Sequence, residues 1–431
     1  MNHLRDKAAY LDRLDPLASF RESFHIPLHQ GKPCYYFTGN SLGLPPKTAR
    51  EALLQEFEDW AALGVEGHFH ARNPWVSYHE LLMQTGADLV GARYGEVVHM
   101  QGLTANIHLL MVSFYRPQGK RYKIVCEAKA FPSDQYALAS QVQYHGYHPA
   151  DAIIEVHPRP GEHTIREEDI EATIARHSEE IALVFWGGVN YYSGQFFDLE
   201  RITRAGHAAG AVVGFDLAHA AGNVPLQLHH WGADFAAWCT YKYLNSGPGS
   251  VSGIFVHERH ARNASLPRFA GWWGHNKSVR FLMEPDFDPM PGAEGWQLSN
   301  APVFAMAPHL ASLRIFAQAG MDRLRAKSLV LTTFLWEVLE EVAHHSGAQF
   351  EIITPRLPEQ RGCQISMLVH GMGKELFNQI TAEGVVADWR EPNVIRFAPV
   401  PLYNTFADVY ALGEILLKAL QKNRLQHTPT P

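Results

Sequence analysis

Four cysteines in 431 residues, at positions 34, 126, 239 and 363, leave no pair at CxxC spacing. That excludes a zinc or dithiol redox motif and makes reduced thiols in a cytosolic core the expectation. An excess of one charge is also missing: 37 Lys and Arg stand against 44 Asp and Glu, for a formal net charge of −7. A nucleic-acid or anionic-membrane surface needs a basic footprint, so neither is the expected partner. A small anion needs only a local patch and stays allowed. The apolar runs, such as residues 181–186, fall far short of the roughly 20 residues that cross a bilayer. Residues 1–10 mix Arg5, Asp6 and Lys7 without an apolar stretch, so no secretory signal is expected and the chain is placed in the cytoplasm.

Familiar motifs are lacking too. There is no GxxxxGK[ST] and no HExxH. Gly247-Pro248-Gly249 through Gly253 resembles a dinucleotide loop, but its third glycine is one residue late and precedes a strand-like run. Among the 25 histidines, His68-Phe69-His70, His229-His230 and His344-His345 lack a carboxylate partner at metal-site spacing, so no metal is expected.

What is present is a long alternation. Near-continuous apolar runs at 96–101, 123–128, 152–156, 181–185, 211–216, 235–240 and 253–257 read as strands. Segments of helical period lie between most of them, at 107–114, 133–143, 167–176 and 199–209. Buried strands separated by helices predict an α/β fold with a mainly parallel seven-stranded sheet covered on both faces. After about residue 301 the pattern shifts to long helices over 308–342, with a break at Ala319-Gly320. Short strands at 350–353, 364–369 and 394–398 follow, then a closing helix at 408–420 with Thr405 and Asp408 as a capping box. The expected division is a large domain over 45–305 and a small α+β domain over 306–425, completed by residues 1–44. The tail from about Lys422 reads as frayed.

In open α/β sheets, ligands bind outside the carboxyl ends of the strands. The first run ends in Gly102-Leu103-Thr104, where a hydroxyl at a helix N-terminus suits a phosphate, although alone Thr104 reads as a plain N-cap. The second ends in Ala130-Phe131-Pro132-Ser133-Asp134, offering a ring to stack on a flat heterocycle, a hydroxyl and a carboxylate. The third ends in Asp216, with His219 three residues on. A buried carboxylate there needs a cation, and a protonated pyridine nitrogen is one. The fourth ends in Tyr241-Lys242, and a desolvated lysine is nucleophilic toward an aldehyde. A lysine at a strand end often merely snorkels to solvent; the succession of phosphate loop, aromatic, aspartate and lysine favours a pyridoxal 5′-phosphate Schiff base on Lys242.

These residues, in this order, resemble the fold-type I pyridoxal-phosphate enzymes, and longer blocks narrow the resemblance to the kynureninase family. The blocks include Tyr36-Phe37-Thr38-Gly39-Asn40-Ser41-Leu42-Gly43-Leu44, Glu127-Ala128-Lys129-Ala130-Phe131-Pro132-Ser133-Asp134 and Gly214-Phe215-Asp216-Leu217-Ala218-His219-Ala220. Others are Tyr241-Lys242-Tyr243-Leu244-Asn245 and Ile395-Arg396-Phe397-Ala398-Pro399. The resemblance implies hydrolysis of L-kynurenine or 3-hydroxy-L-kynurenine to an anthranilate and L-alanine, in tryptophan catabolism and NAD biosynthesis, by a homodimer. It implies that Lys242 bonds the cofactor and then acts as base, that Tyr241 relays protons, and that Asp216 meets the pyridine nitrogen. Phe131, Pro132, Ser133, Asp134 and His219 would surround the ring. Leu103, Thr104, Tyr241 and Trp272 would hold the phosphate end, Trp272 reaching in from a partner subunit. Arg396 would bind the substrate α-carboxylate. Ser41, His68 and Asn300 would meet the substrate's aromatic end, Asn300 also bordering the cofactor, and the polar partners His68 and Asn300 favour acceptance of a ring hydroxyl. Gly187 departs from relatives that carry a hydroxyl residue near the cofactor.

Two other readings compete. A cysteine desulfurase or aminotransferase shares the fold, but Cys363 sits at a strand start rather than on a mobile loop. A retired scaffold that only binds would lack catalytic residues, whereas Lys242, Asp216 and Arg396 are all present.

Overall fold

The computed structural model describes residues 1–427 apart from 262, 264, 349 and 373. The tail expected to fray lies mostly outside the described residues: 428–431 altogether, and 423–427 in their side chains.

Seven strands form the central sheet: β1 (Val97–Met100), β2 (Lys123–Glu127), β3 (Ile153–Val156), β4 (Ile181–Gly187), β5 (Val212–Asp216), β6 (Phe235–Cys239) and β7 (Ser252–Val256). Their order is β1-β7-β6-β5-β4-β2-β3. Only β7 runs against its neighbours, β1 and β6; β6, β5, β4, β2 and β3 pair in parallel. Every residue of β1, β6 and β7 is buried, which is why these runs read as continuously apolar rather than alternating. Separate buried clusters pack the sheet's two faces, one holding Val125, Val184 and Val213 and the other Ile124, Leu183 and Phe185.

Helices Val303–Ala319 and Met321–Ser346 meet at Gly320, at the break expected from the sequence. Beyond them a four-stranded antiparallel sheet is built from β8 (Phe350–Ile352), β9 (Ile365–Val369), β10 (Asp388–Arg390) and β11 (Val394–Phe397), in the order β8-β9-β11-β10. The closing helix Phe406–His427 begins with the reciprocal cap expected: Asp408 N–H donates to Thr405 Oγ1 at 3.0 Å, and Thr405 N–H to Asp408 Oδ2 at 3.1 Å. The N-terminal helix Asn2–Leu14 buries Leu4 and Ala8 in this second core, and strand Tyr35–Tyr36 pairs with Val385–Val386. A buried ion pair between Lys327 and Asp15, at 2.7 Å, also ties the N-terminal residues to this part of the chain.

Candidate active site

The carboxyl ends of β1, β2, β4, β5 and β6 converge on one cavity of about 370 Å³. Its wall includes Leu103 and Thr104 after β1, Glu127 ending β2, and Phe131, Ser133 and Asp134 beyond it. Gly187 ends β4, Asp216 ends β5 with His219 behind, and Tyr241 and Lys242 follow β6. Lys242 is carried on a tight turn. Asn245 N–H donates to Lys242 O at 3.0 Å, and Ser246 N–H to Thr240 O at 3.1 Å. The loop through Gly43 braces that turn, with Gly43 N–H donating to Tyr241 O at 2.8 Å. A Cβ on Gly43 would stand 2.3 Å from Lys242 O, so only glycine permits this approach. The loop block Thr38–Leu44 and the lysine turn are therefore one construction.

Electrostatics sort the polar groups. Three carboxyls, Glu127, Asp134 and Asp216, face the single ammonium of Lys242. Burial raises Asp134 well above the usual carboxylate range, and the neighbouring charge of Asp216 raises it further. Burial also raises Asp216, but the Ala218 N–H (2.7 Å from Oδ1), Lys242 and a hydrogen bond from Asp134 pull it back. Two adjoining carboxyls do not both ionise in a dry site, so Asp134 keeps the proton and Asp216 the charge. Burial first, then the charges of Lys242, Arg396 and Arg390, hold His219 well below the ordinary histidine range, as a neutral imidazole. Burial and nearby Cys239 raise Tyr241, which stays a neutral phenol.

Nine of the residues expected from sequence meet here: Leu103, Thr104, Phe131, Ser133, Asp134, Asp216, His219, Tyr241 and Lys242. Thr104 does not cap its helix: Gly102 occupies that position and Thr104 is the second helical residue, which leaves its hydroxyl at the cavity. Pro132 turns instead to an adjoining cavity shared with Phe131 and Tyr191. The remaining five stand apart from the lining. Arg396 is fully buried on β11. Its Nε donates to Asp388 Oδ1 at 2.9 Å and its Nη1 to Tyr191 O at 2.5 Å, which holds the guanidinium behind Tyr191. Trp272 is 43% exposed, with its ring edge-on to Phe281 at 5.6 Å. His68 lies edge-on to Trp75, Asn300 is exposed, and Ser41 sits in the turn closed by its own N–H on Thr38 O. Sequence reasoning singled out neither Glu127 nor Tyr191 as site residues. A polar residue ending a strand is the ordinary case, and Tyr191 lies in a loop without periodicity.

The cavity fits a flat, phosphorylated cofactor. Asp134 Oδ1 and His219 Nδ1 are buried without a protein partner. The first amides of helix Leu103–Phe114 have no intrahelical acceptor. Phe131 presents its ring with Lys242 Nζ 5.6 Å from the centroid, and Tyr191 stands perpendicular to it.

Solved structures place this architecture first. A cysteine desulfurase from Thermococcus onnurineus NA1 matches with a TM-score of 0.73 at 16% identity, over 90% of this chain and 95% of that one. A C-DES mutant with glycine covalently linked to its PLP cofactor matches at 0.75 and 16% identity, over 89% and 96%. The fold is thus that of the fold-type I, class V pyridoxal-phosphate-dependent enzymes. Residues 324–416 match the family model described as the kynureninase C-terminal domain. Kynureninase from Flavobacterium psychrophilum is 56% identical over 416 residues, covering 96% of this chain and 98% of the relative. That from Myxococcus xanthus is 55% identical over 410 residues, covering 95% and 96%. The chain belongs to the kynureninase family.

Proposed function

We propose that this chain hydrolyses L-kynurenine, or its 3-hydroxy form, to the corresponding anthranilate and L-alanine, as a step of tryptophan catabolism in the cytoplasm. The observation that carries the reading is a single cavity ringed by a buried lysine, a buried aspartate, an aromatic face and a helix N-terminus. Identity above 50% to curated kynureninases across nearly the whole chain supports it.

Lys242 would hold pyridoxal phosphate through its amine, with Asp216 at the ring nitrogen, Phe131 on the ring face, and Thr104 with the helix amides at the phosphate. When bound, that group supplies an electron-accepting ring and an aldehyde that the substrate amine takes over. The freed Lys242 amine then takes the proton from the substrate α-carbon. Asp216 keeps its charge because Asp134 holds the shared proton. Water adds at the γ-carbonyl carbon, the Cβ–Cγ bond parts, and the Tyr241 hydroxyl delivers a proton to the β-carbon. Arg396, whose field already reaches His219, is the proposed partner of the α-carboxylate.

A second copy is proposed to complete the site. Phe57, Trp60 and Phe304 form one exposed aromatic run, and Phe69, Phe281 and Trp272 another beside His68. Apolar surface of this kind marks a protein interface. The desulfurase alternative fares worse, because Cys363 is buried and its thiol is pushed up to about 12 by that burial, the reverse of an exposed nucleophile. The test is anthranilate fluorescence from kynurenine with wild type and Lys242→Ala. Turnover and a visible cofactor band in wild type, both lost in the variant, are expected; persulfide formation from cysteine without kynurenine turnover would refute the assignment.

A further inference from the structure

Gly187 and Glu127 share one place in the cavity wall. Gly187 aligns with Asp216 across β4 and β5, and Glu127 ends the strand on the other side of β4. A Cβ on Gly187 would stand 2.4 Å from Glu127 Oε1, so the carboxyl fills the volume that a side chain at 187 would take. Its other oxygen accepts a hydrogen bond from Asn190 Nδ2 at 2.8 Å, and Asn190 is itself fixed by the N–H groups of Tyr192 and Ser193.

Ring chemistry indicates what this carboxyl faces. On a pyridoxal ring the phosphate arm and the phenolic oxygen lie on opposite sides of the line joining the nitrogen to the carbon that the lysine bonds. With Asp216 on β5 at the nitrogen and Lys242 at that carbon, the Leu103 helix after β1 lies to one side of β5 in the sheet. Glu127 and Gly187, on β2 and β4, lie to the other. We propose that Glu127, in the place left open by Gly187, donates a hydrogen bond from its carboxyl to the cofactor's phenolic oxygen. The proposal rests on the cofactor placement above.

The carboxyl is suited to donate. Burial, with the charge of Asp216 adding, pushes Glu127 up to about 7 against the opposing hydrogen bonds from Asn190 and the Gly187 N–H. The other groups facing it are Asp134 from its helix, Lys242 and His219 from the turns after β6 and β5, and Tyr191 from the loop after β4. An anionic ring oxygen against the carboxyl favours its proton further, so cofactor binding draws a proton onto Glu127.

The test resolves the holoenzyme to the cofactor-free protein and titrates pyridoxal phosphate back between pH 6 and 9, following the visible band, with proton uptake read by calorimetry in buffers of different ionisation heat. Glu127→Gln keeps an acceptor for Asn190 but cannot titrate. Above pH 7 the wild-type affinity should fall about tenfold per pH unit more steeply than that of Glu127→Gln, with up to about one more proton taken up at pH 8. Glu127→Ala should bind roughly tenfold or more weakly, and adding Gly187→Ser should restore most of that loss. Equal pH slopes and proton counts in wild type and Glu127→Gln overturn the proposal, as does a folded double variant that recovers nothing. Failure of wild type to bind pyridoxal phosphate at all would instead bring down the functional reading beneath it.

Discussion

Asp134 and Asp216 carry the same group and adjoin in one cavity, yet replacing each by asparagine should have opposite consequences. Asp134 holds its proton because burial and the Asp216 charge both penalise ionisation. Its folded-state pKa therefore lies above the unfolded one. The stability associated with it is greatest below the unfolded value, near 3.9, and is lost as pH rises toward the folded value. Asp134→Asn keeps a donor toward Asp216 and removes this linkage. The cofactor-free protein should gain stability at neutral pH, and its decline between about pH 4 and neutrality should flatten in urea unfolding curves. Cofactor affinity should stay within about threefold, because the hydrogen bond is preserved. Asp216→Asn instead removes the charge proposed to meet a buried ring cation. Breaking one side of such a pair costs about 3–5 kcal/mol, or roughly two to four orders of magnitude in cofactor affinity. Titrating the two cofactor-free variants with pyridoxal phosphate compares them directly. Equal weakening in both, or a more destabilised Asp134→Asn, would refute this assignment of proton and charge.

Three further outcomes follow from other parts of the molecule. Arg396→Lys should raise KM for kynurenine about 10-fold or more with a smaller change in kcat, since lysine cannot reproduce a two-pronged grip on a carboxylate; initial-rate kinetics would show it. Asp15→Ala leaves Lys327 buried with its ion-pair partner gone and should cost about 3 kcal/mol in urea unfolding. Burial lowers His99 to about 3, so the folded state excludes a proton that the unfolded chain takes up. The contribution of His99 should be complete above pH 6.5 and be lost at up to about 1.4 kcal/mol per pH unit below it, a component of the pH slope that His99→Phe should remove in the same assay at stepped pH.

Most of the sheet was legible because its strands are buried on both faces, which writes them as continuous apolar runs. The ends of those runs were legible for the same reason: Asp216 and Lys242 stand out only against an apolar background. Glu127 ends the strand itself, one residue inside the run expected over 123–128, and a carboxyl there has an ordinary explanation in solvent. Its burial comes from Gly187, sixty residues on, whose missing side chain the sequence shows only as an absence. Arg396 was legible as a candidate for binding a carboxylate but not as a fully buried arginine. Its partner Asp388 faces it across the β10–β11 register, a pairing that depends on where that hairpin turns.

The residues expected at the substrate's aromatic end expose a different gap. Ser41, His68, Asn300 and Trp272 come from widely separated turns and short helices, and none lines the cavity of the single chain. Two of them, His68 and Trp272, lie with the exposed aromatic rings Phe69 and Phe281. Residues proposed to meet the substrate and exposed apolar rings coincide on one surface, as a site shared between copies would require, because polar groups that act on a ligand and rings that exclude water must arrive together. A dimer in solution by sedimentation, reduced to monomer by Phe281→Glu with loss of turnover, is the expected outcome. A fully active monomer would mean that the cavity is complete within one chain and that these segments serve only its surface.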